Sequence, residues 1–288
     1  VKASPFTYHA PASVDELVAV FGEFGDEAKV IAGGQSLVPM MALRLARFDH
    51  LVDLNGVEHL RGVRRQNGTV SIGAMTTHRD LERGLAQDVP LLARAAPYIG
   101  HTQIRNRGTV GGSCAHADPS AEWPAVALTL DAQFEVRGPN GVRTIPATDF
   151  FVSTFMTALE PEEVLVALQL PVWPGRCGFG VAEFARRHGD FAIAGATVGL
   201  QLDGAGRVSQ LAIGLIGLGS TPLRATAAES AAVGADVQTL DLAELAQIAV
   251  ANCDPADDIH GDAVYRRQVG AVTVEQALQQ AVQEAQGD

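Results

Sequence analysis

The spacing of apolar positions opens the chain with a helix. In VDELVAVF, Leu17, Val20 and Phe21 fall on one face. Ser13-Val-Asp-Glu16 reads as a capping box, Ser answering Glu three residues on, and the helix stops near Gly25. Lys29 to Ala32 then reads as a short strand, Leu37 to Leu45 as a second helix with Pro39 in its first turn, and His50 to Leu54 as a strand. Together they predict a small α/β unit. From about Leu60 the period shortens. Asn67-Gly68 sits between two β-prone runs and predicts a hairpin. Helices follow at Thr77 to Leu85, Leu91 to Tyr98 and Ala121 to Leu130; GPNG at 138–141 joins two strands, and Val164 to Leu170 is another. Pro171, Pro174 and Gly175 mark a boundary. Beyond it two long β runs, Phe191 to Leu202 and Val208 to Ile216, are joined by DGAG and followed by helices that include Leu240 to Ala251 and Val272 to Glu284. Strands followed by helices predict an α+β layer with its helices on one face.

Composition narrows the classes. The 288 residues, 47% of them hydrophobic, suffice for two or three packed domains. A net charge of −12 argues against a nucleic-acid partner, which asks for a basic stripe. Lys2 and Lys29 are the only lysines, so arginine carries nearly all positive charge. No run of eighteen apolar residues predicts a membrane span, and VKASPFTYHAP lacks the basic and apolar regions of a secretory signal. Cys114, Cys177 and Cys253 are too far apart for a disulfide framework or a metal cluster, which points to a reducing cytoplasm.

The candidate chemistry lies in two diglycine bends. KVIAGGQSLVPMM at 29–41 and GTVGGSCAHADPSAEWP at 108–124 each run from β-branched residues into paired glycines, a small polar residue and a helix. Each is expected to leave backbone N–H groups in an open turn, where glycine tolerates positive φ and close approach. Such nests hold phosphates, and a pair of them can hold the two halves of a pyrophosphate. An ordinary strand-to-helix turn is the competing reading of either bend alone. Neither matches G-x-G-x-x-G, so a Rossmann site is excluded.

Around the bends, Asp118-Pro119 fits a helix cap, and Glu122 in the first turn of that helix is either solvated or a ribose acceptor. His116 has no second His or Cys at ligand spacing. Arg105 and Arg107 form either a solvated cluster or one that neutralises a phosphate or an acidic partner. Arg186, Arg187 and His188 resemble such a patch, and Phe191 beside them either covers an aromatic ring or packs in the core. There is no G-x-S-x-G elbow and no HExxH, so reactive chemistry would come from a cofactor.

AGGQSLVPMMALRLA, SIGAMTTH, IRNRGTVGGSCAHADPSAEWPA and FARRHGDFAIAGA, in this order, resemble the medium, FAD-binding subunit of the molybdenum hydroxylases. That family includes carbon monoxide dehydrogenase, quinoline oxidoreductase and, fused into a longer chain, xanthine dehydrogenase. The resemblance covers essentially the whole length and leans towards subunits serving aromatic N-heterocycles. It implies an α+β architecture: a two-lobed FAD-binding domain of the vanillyl-alcohol-oxidase type over 1–175, with lobes of about 1–57 and 58–175, and a smaller C-terminal domain of antiparallel strands and helices over 176–288.

By the family pattern, Ala32, Gly33, Gly34, Gln35 and Ser36, with Leu37 behind them, and Thr109, Gly111, Gly112 and Ser113 grip the pyrophosphate of FAD. Ala74, Met75 and Thr76 also approach the cofactor. Ile99 packs on adenine, Glu122 meets the ribose, Val166 touches the isoalloxazine through its backbone, and Phe191 covers the flavin where the carbon monoxide enzyme has tyrosine. Ser113 departs from the asparagine frequent at its position, and no lysine stands near FARRHGD, which weakens any carry-over of NAD chemistry. The resemblance further implies a large partner holding molybdopterin cytosine dinucleotide, a small partner holding two [2Fe–2S] clusters, and a dimer of heterotrimers. No residue of this chain is expected to be catalytic or to bind metal. Its part would be to relay electrons from the clusters through FAD to a terminal acceptor. Two rivals stand beside this reading: a free-standing flavoprotein oxidase or reductase of the same fold, and a cofactor-free scaffold.

Overall fold

The computed structural model describes residues 2–84 and 88–287. The first unit is a three-stranded parallel sheet in the order β1 (Thr7–His9), β3 (His50–Asp53), β2 (Ala28–Ile31). Helix α1 (Val14–Phe24) crosses over from β1 to β2. Ser13 Oγ accepts the Glu16 N–H, while the Glu16 carboxylate reaches back to the N–H of Ala12. α1 buries Leu17 and Phe21 against Val52, Leu54, Val57 and Met75. Helix α2 (Leu37–Ala42) is shorter than the expected Leu37 to Leu45, because Arg44 turns to φ 61° and the Leu45 N–H closes onto the Met40 carbonyl.

The second unit is a five-stranded antiparallel sheet in the order β4 (Val63–Gln66), β5 (Thr69–Gly73), β10 (Val164–Pro171), β6 (Gln133–Gly138), β7 (Gly141–Pro146). Asn67 at φ 51° and Gly68 at φ 75° make the hairpin turn that the sequence predicts. One face of this sheet packs on α3 (His78–Gly84), α4 (Pro90–Ala95), α6 (Val110–His116), α7 (Glu122–Thr129) and α8 (Ala147–Phe150), with Trp123, Phe134 and Phe150 wholly inside, while the short α5 (Thr102–Arg105) lies against α3. The final residue of the expected Thr77 to Leu85 helix lies outside the described residues. A small hairpin, β8 (Phe151–Ser153) with β9 (Met156–Thr157), closes the unit.

The third unit is an antiparallel sheet in the order β11 (Arg176–Phe184), β12 (Ala194–Leu202), β13 (Val208–Ile216), β14 (Leu223–Arg224), followed by α9 (Thr226–Ala232), α10 (Leu242–Val250) and α11 (Ala263–Gln286). The helices cover one face as expected, and α4 and α7 of the second unit cover the other. Burial on both faces explains why β12 reads as one apolar run. The sequence reading missed β11, because Gly178 and Gly180 break its pattern. Those glycines let α11 lie directly on the strand: a methyl at either position would meet the Ala281 or Ala277 carbonyl at about 2 Å. Arg94 and Glu284 pair across the junction, and Glu284 also accepts the Phe179 N–H.

Candidate functional site

The fold brings the two diglycine bends into contact. The first, between β2 and α2, packs its Gly33 against the main chain just before the second. A methyl on Gly33 would lie 2.1 Å from the Arg107 carbonyl oxygen and 2.7 Å from Gly108 Cα. A methyl on Gly112 would meet Thr109 Oγ1 at 2.8 Å and the Ala32 methyl at 3.3 Å. Glycine is therefore required for space at Gly33, where the opposing atoms are backbone, and fits tightly at Gly112. At Gly34, with φ 73°, it is required for conformation.

The two bends use their backbone differently. In the first, every carbonyl from Ala32 to Gly34 is taken from within: Asn55 Nδ2 donates to Ala32, Gln35 Nε2 to Gly33, and the Val38 N–H to Gly34. The N–H groups of Gly33, Gly34, Gln35, Ser36 and Leu37 meet no acceptor among the described residues. The Ser36 hydroxyl caps nothing. Donors point out and acceptors point in, which makes a local positive field suited to an anion. With only six residues, α2 adds little dipole behind it.

The second bend corrects the expectation of an open turn, because its glycines lie inside α6. The Val110 N–H donates to the Thr76 carbonyl, Gly111 to Ala74 at 2.9 Å, Gly112 to Thr109 Oγ1 at 3.1 Å and Ser113 to the Thr109 carbonyl. The Thr109 N–H and the Ser113 hydroxyl remain without a partner among the described residues. The α6 C-terminus stops at Ala117, which turns to φ 52°.

The other predicted residues separate into three groups. Ala74, Met75 and Thr76 adjoin the second bend but are spent as struts. Their carbonyls accept from Gly111, Arg61 and Val110, and their N–H groups donate to Val166, Leu60 and Gly73. Met75 is wholly buried in the first unit's core, and Thr76 Oγ1 bonds Gly62. Val166 sits at a bulge in β10, its carbonyl held by Ala74 and its side chain packed on the same core. Ile99 packs in the second unit's core, and Phe191 is 63% exposed. Their loops are neighbours, since Gly189 abuts Gly100 and His101.

Glu122 is buried at the start of α7. Burial, and secondarily the charge of Asp118, pushes its carboxyl up to about 7. Glu183 on β11 is pushed up to about 9 by burial and then by Glu122, and its Oε2 is buried with no partner among the described residues. Asp118 caps the Ser120 N–H rather than α7, whose N-cap residue is Ala121. His116 packs on Phe155, the ring centroids 4.9 Å apart.

Arg105 is neither solvated nor free for a phosphate. It is buried, pairs with Glu82, and donates to the carbonyls of Pro97, Ile99 and Gly100. Arg107 is exposed and has no ion-pair partner among the described residues, as are Arg186 and Arg187.

The sequence reading missed the residues beneath the bends. Asn55 and Arg61 brace the first: Arg61 donates to Asn55 Oδ1 and to the Met75 carbonyl. His78 and Trp123 brace the second, with the indole N–H donating to His78 Nδ1 at 2.8 Å. No local spacing signals these contacts, which form only in the folded chain. A separate cleft of about 390 Å³ lies between α1 and the outer face of the five-stranded sheet, and of the predicted site residues only Val166 lines it.

The chain is similar to known proteins over nearly its whole length. Residues 4–173 match the family described as the FAD binding domain in molybdopterin dehydrogenase, and residues 180–281 match the CO dehydrogenase flavoprotein C-terminal domain. The chain is 42% identical over 278 residues to the carbon monoxide dehydrogenase medium chain of Hydrogenophaga pseudoflava, covering 96% of each. It is 41% identical to the 6-hydroxypseudooxynicotine dehydrogenase complex subunit alpha of Paenarthrobacter nicotinovorans, covering 99% of this chain and 97% of that one. A solved structure of the Hydrogenophaga pseudoflava carbon monoxide dehydrogenase, lacking the Mo-pyranopterin moiety, superposes with a TM-score of 0.94 at 43% identity, covering 98% of both chains.

Proposed function

The chain belongs to the family of FAD-binding medium subunits of the carbon monoxide dehydrogenase and xanthine dehydrogenase type, and from that premise we propose that it carries electrons from a partner's [2Fe–2S] cluster, through FAD, to a terminal acceptor. FAD bound here would supply the redox chemistry, and the protein would supply position and electrostatics.

The observation that carries this reading is the outward row of N–H groups from Gly33 to Leu37, closed against Gly108 and Gly112. We assign the diphosphate to that row, supplemented by the Ser36 and Ser113 hydroxyls and the Thr109 N–H. The exposed Arg107 guanidinium adds charge nearby. We further assign Ile99 and Val166 to the adenine and ring contacts, Glu122 to the ribose and Phe191 to the flavin face. Phe191 is exposed and so has room to move onto a ring. We place the FAD-binding domain at 1–175 and the C-terminal domain at 176–288.

Residues 33–37 and 109–113 include no acidic or basic side chain, which suits a relay. On this reading the organic substrate is handled by a large molybdopterin-binding subunit, and a small [2Fe–2S] subunit feeds this one, in a cytoplasmic dimer of heterotrimers. The near-equal identities to a carbon monoxide dehydrogenase chain and to a 6-hydroxypseudooxynicotine dehydrogenase subunit support a flavin chain whose sequence does not sort substrates.

The test is to isolate the chain with whatever co-purifies and to measure flavin, iron and molybdenum per assembly. Rapid mixing with substrate should then bleach cluster and flavin absorbance together. A lone yellow protein that turns over a substrate by itself would replace the relay with an oxidase. A colourless assembly would leave only a scaffold.

A further inference from the structure

His78 is 4% exposed, and three contacts fix its ring and backbone. Trp123, 1% exposed, donates its indole N–H to Nδ1 at 2.8 Å. Nδ1 is thereby an acceptor, so the neutral ring carries its proton on Nε2. The His78 backbone N–H donates to the Gly108 carbonyl at 3.0 Å, and its neighbour Thr77 bridges to Thr109. The ring also lies against the second bend itself: a methyl on Gly108 would be 2.6 Å from Nε2. On the far side of this turn, the Arg107 carbonyl and Gly108 Cα are the atoms against which Gly33 packs. One line of contacts therefore runs from α7 through Trp123 and His78 to the second bend, and from there to the first.

We propose that His78, oriented by Trp123, is a positioning residue that sets the spacing between the two bends and so the affinity of the chain for the diphosphate of FAD. This rests on the FAD reading given above. His78 contacts neither open N–H row nor free hydroxyl, so its role is indirect. Burial, and secondarily the charge of Arg105, holds its pKa down to about 3. The indole bond is therefore intact throughout the neutral range, since a protonated ring would offer Trp123 no acceptor.

The experiment titrates the full chain, stripped of FAD, with FAD and reads the dissociation constant from flavin fluorescence. Thermal midpoint and far-ultraviolet circular dichroism are measured on the same samples. His78→Leu leaves the indole N–H unsatisfied and should raise the dissociation constant by about tenfold or more. Trp123→Phe should do the same. The double variant should be no weaker than the worse single one, because both remove one contact. His78→Asn places an amide oxygen near the lost Nδ1 and should recover affinity to within about threefold of wild type. If His78→Leu does not fold, Trp123→Phe and His78→Asn decide the matter.

An unchanged dissociation constant with a lowered thermal midpoint would show that His78 only packs the second unit, and would overturn the proposal. Failure of His78→Asn to rescue would do the same. If the wild-type chain binds no FAD at all, the reading of the site falls and this inference falls with it. Loss confined to the variants leaves that reading standing.

Discussion

The two diglycine bends share a sequence pattern and differ in what their backbones do. The first faces N–H groups outward from Gly33 to Leu37 and spends its carbonyls inward. The second spends the N–H groups of Val110, Gly111, Gly112 and Ser113 on its own unit. Glycine serves a different end in each. At Gly34 it permits a left-handed backbone that exposes donors; at Gly111 and Gly112 it removes side chains so that a helix can seat against Ala74 and Ala32. A motif that looks duplicated is thus one open cradle of donors and one buttress. On the reading proposed above the phosphates lie mainly on the first, and the second sets the geometry of the cradle.

The largest effect that follows is at Gly33. Gly33→Ala places a methyl 2.1 Å from the Arg107 carbonyl oxygen, a backbone atom that cannot rotate away. The bends must part, and with overpacking costs of about 1–3 kcal/mol or more the chain should lose FAD roughly tenfold to hundredfold more readily. Gly111→Ala brings a methyl to 2.4 Å from the Ala74 methyl inside the second unit. Its main effect should be on stability, a thermal midpoint lower by several degrees, at about 2–4 °C per kcal/mol in a chain of this size. Flavin content after gel filtration and a melting curve on both variants check the contrast. If both variants lose FAD equally and melt alike, the division into cradle and buttress is wrong.

Much of the scaffold around the bends was legible beforehand, and the exceptions share one cause. Ser13 with Glu16 and Asn67-Gly68 are local devices, readable because their partners lie within a few residues, and the Val208–Ile216 strand shows as a sustained β-prone run. Strand β11 was not, because Gly178 and Gly180 answer to the carbonyls of Ala281 and Ala277 about a hundred residues away. The second bend was misread for the same reason: only the fold places the Ala74 and Thr76 carbonyls where its N–H groups are consumed. Arg105 likewise looks like half of a basic pair in sequence. Burial against Glu82 and three carbonyls shows it to be a brace for the Ile99 loop.

The buttress side also carries the titratable groups, and pH should separate the two bends. Glu122 and Glu183 have folded-state pKa values of about 7 and about 9, above the ordinary 4.5. Their protonated forms are the ones that suit burial. The folded chain therefore holds protons that the unfolded chain has released, and stability on their account is full below about 4.5 and falls as pH rises through 7 towards 9. His78 acts in the opposite sense on the acid side. Lowered from 6.5 to about 3, it contributes fully above 6.5 and loses that contribution as pH falls. Thermal midpoints measured across this range should decline on the alkaline side, and Glu183→Gln should flatten that decline without changing the acid limb. A variant whose profile runs parallel to wild type at all pH values would show that the pair does not control it.

The smallest effects are the sharpest test of the comparison, because they set one hydroxyl against another. Ser36 begins α2 without making a side-chain cap, so Ser36→Ala removes nothing that the folded chain uses. Its thermal midpoint without FAD should match wild type. If the hydroxyl bonds the diphosphate, FAD affinity should fall by about threefold to tenfold, the worth of one such bond. Thr109 Oγ1 already accepts the Gly112 N–H at 3.1 Å and is buried. Thr109→Val removes a helix cap and should lower stability by about 1 kcal/mol whether or not FAD is present. Thr109→Ser, which keeps the acceptor, should behave nearly as wild type. Paired melting and titration of the three variants would place Ser36 on the affinity axis and Thr109 chiefly on the stability axis. Were Ser36→Ala to lower the midpoint of the FAD-free chain while leaving affinity intact, the first bend would be one more structural turn, and the outward N–H groups would need another ligand.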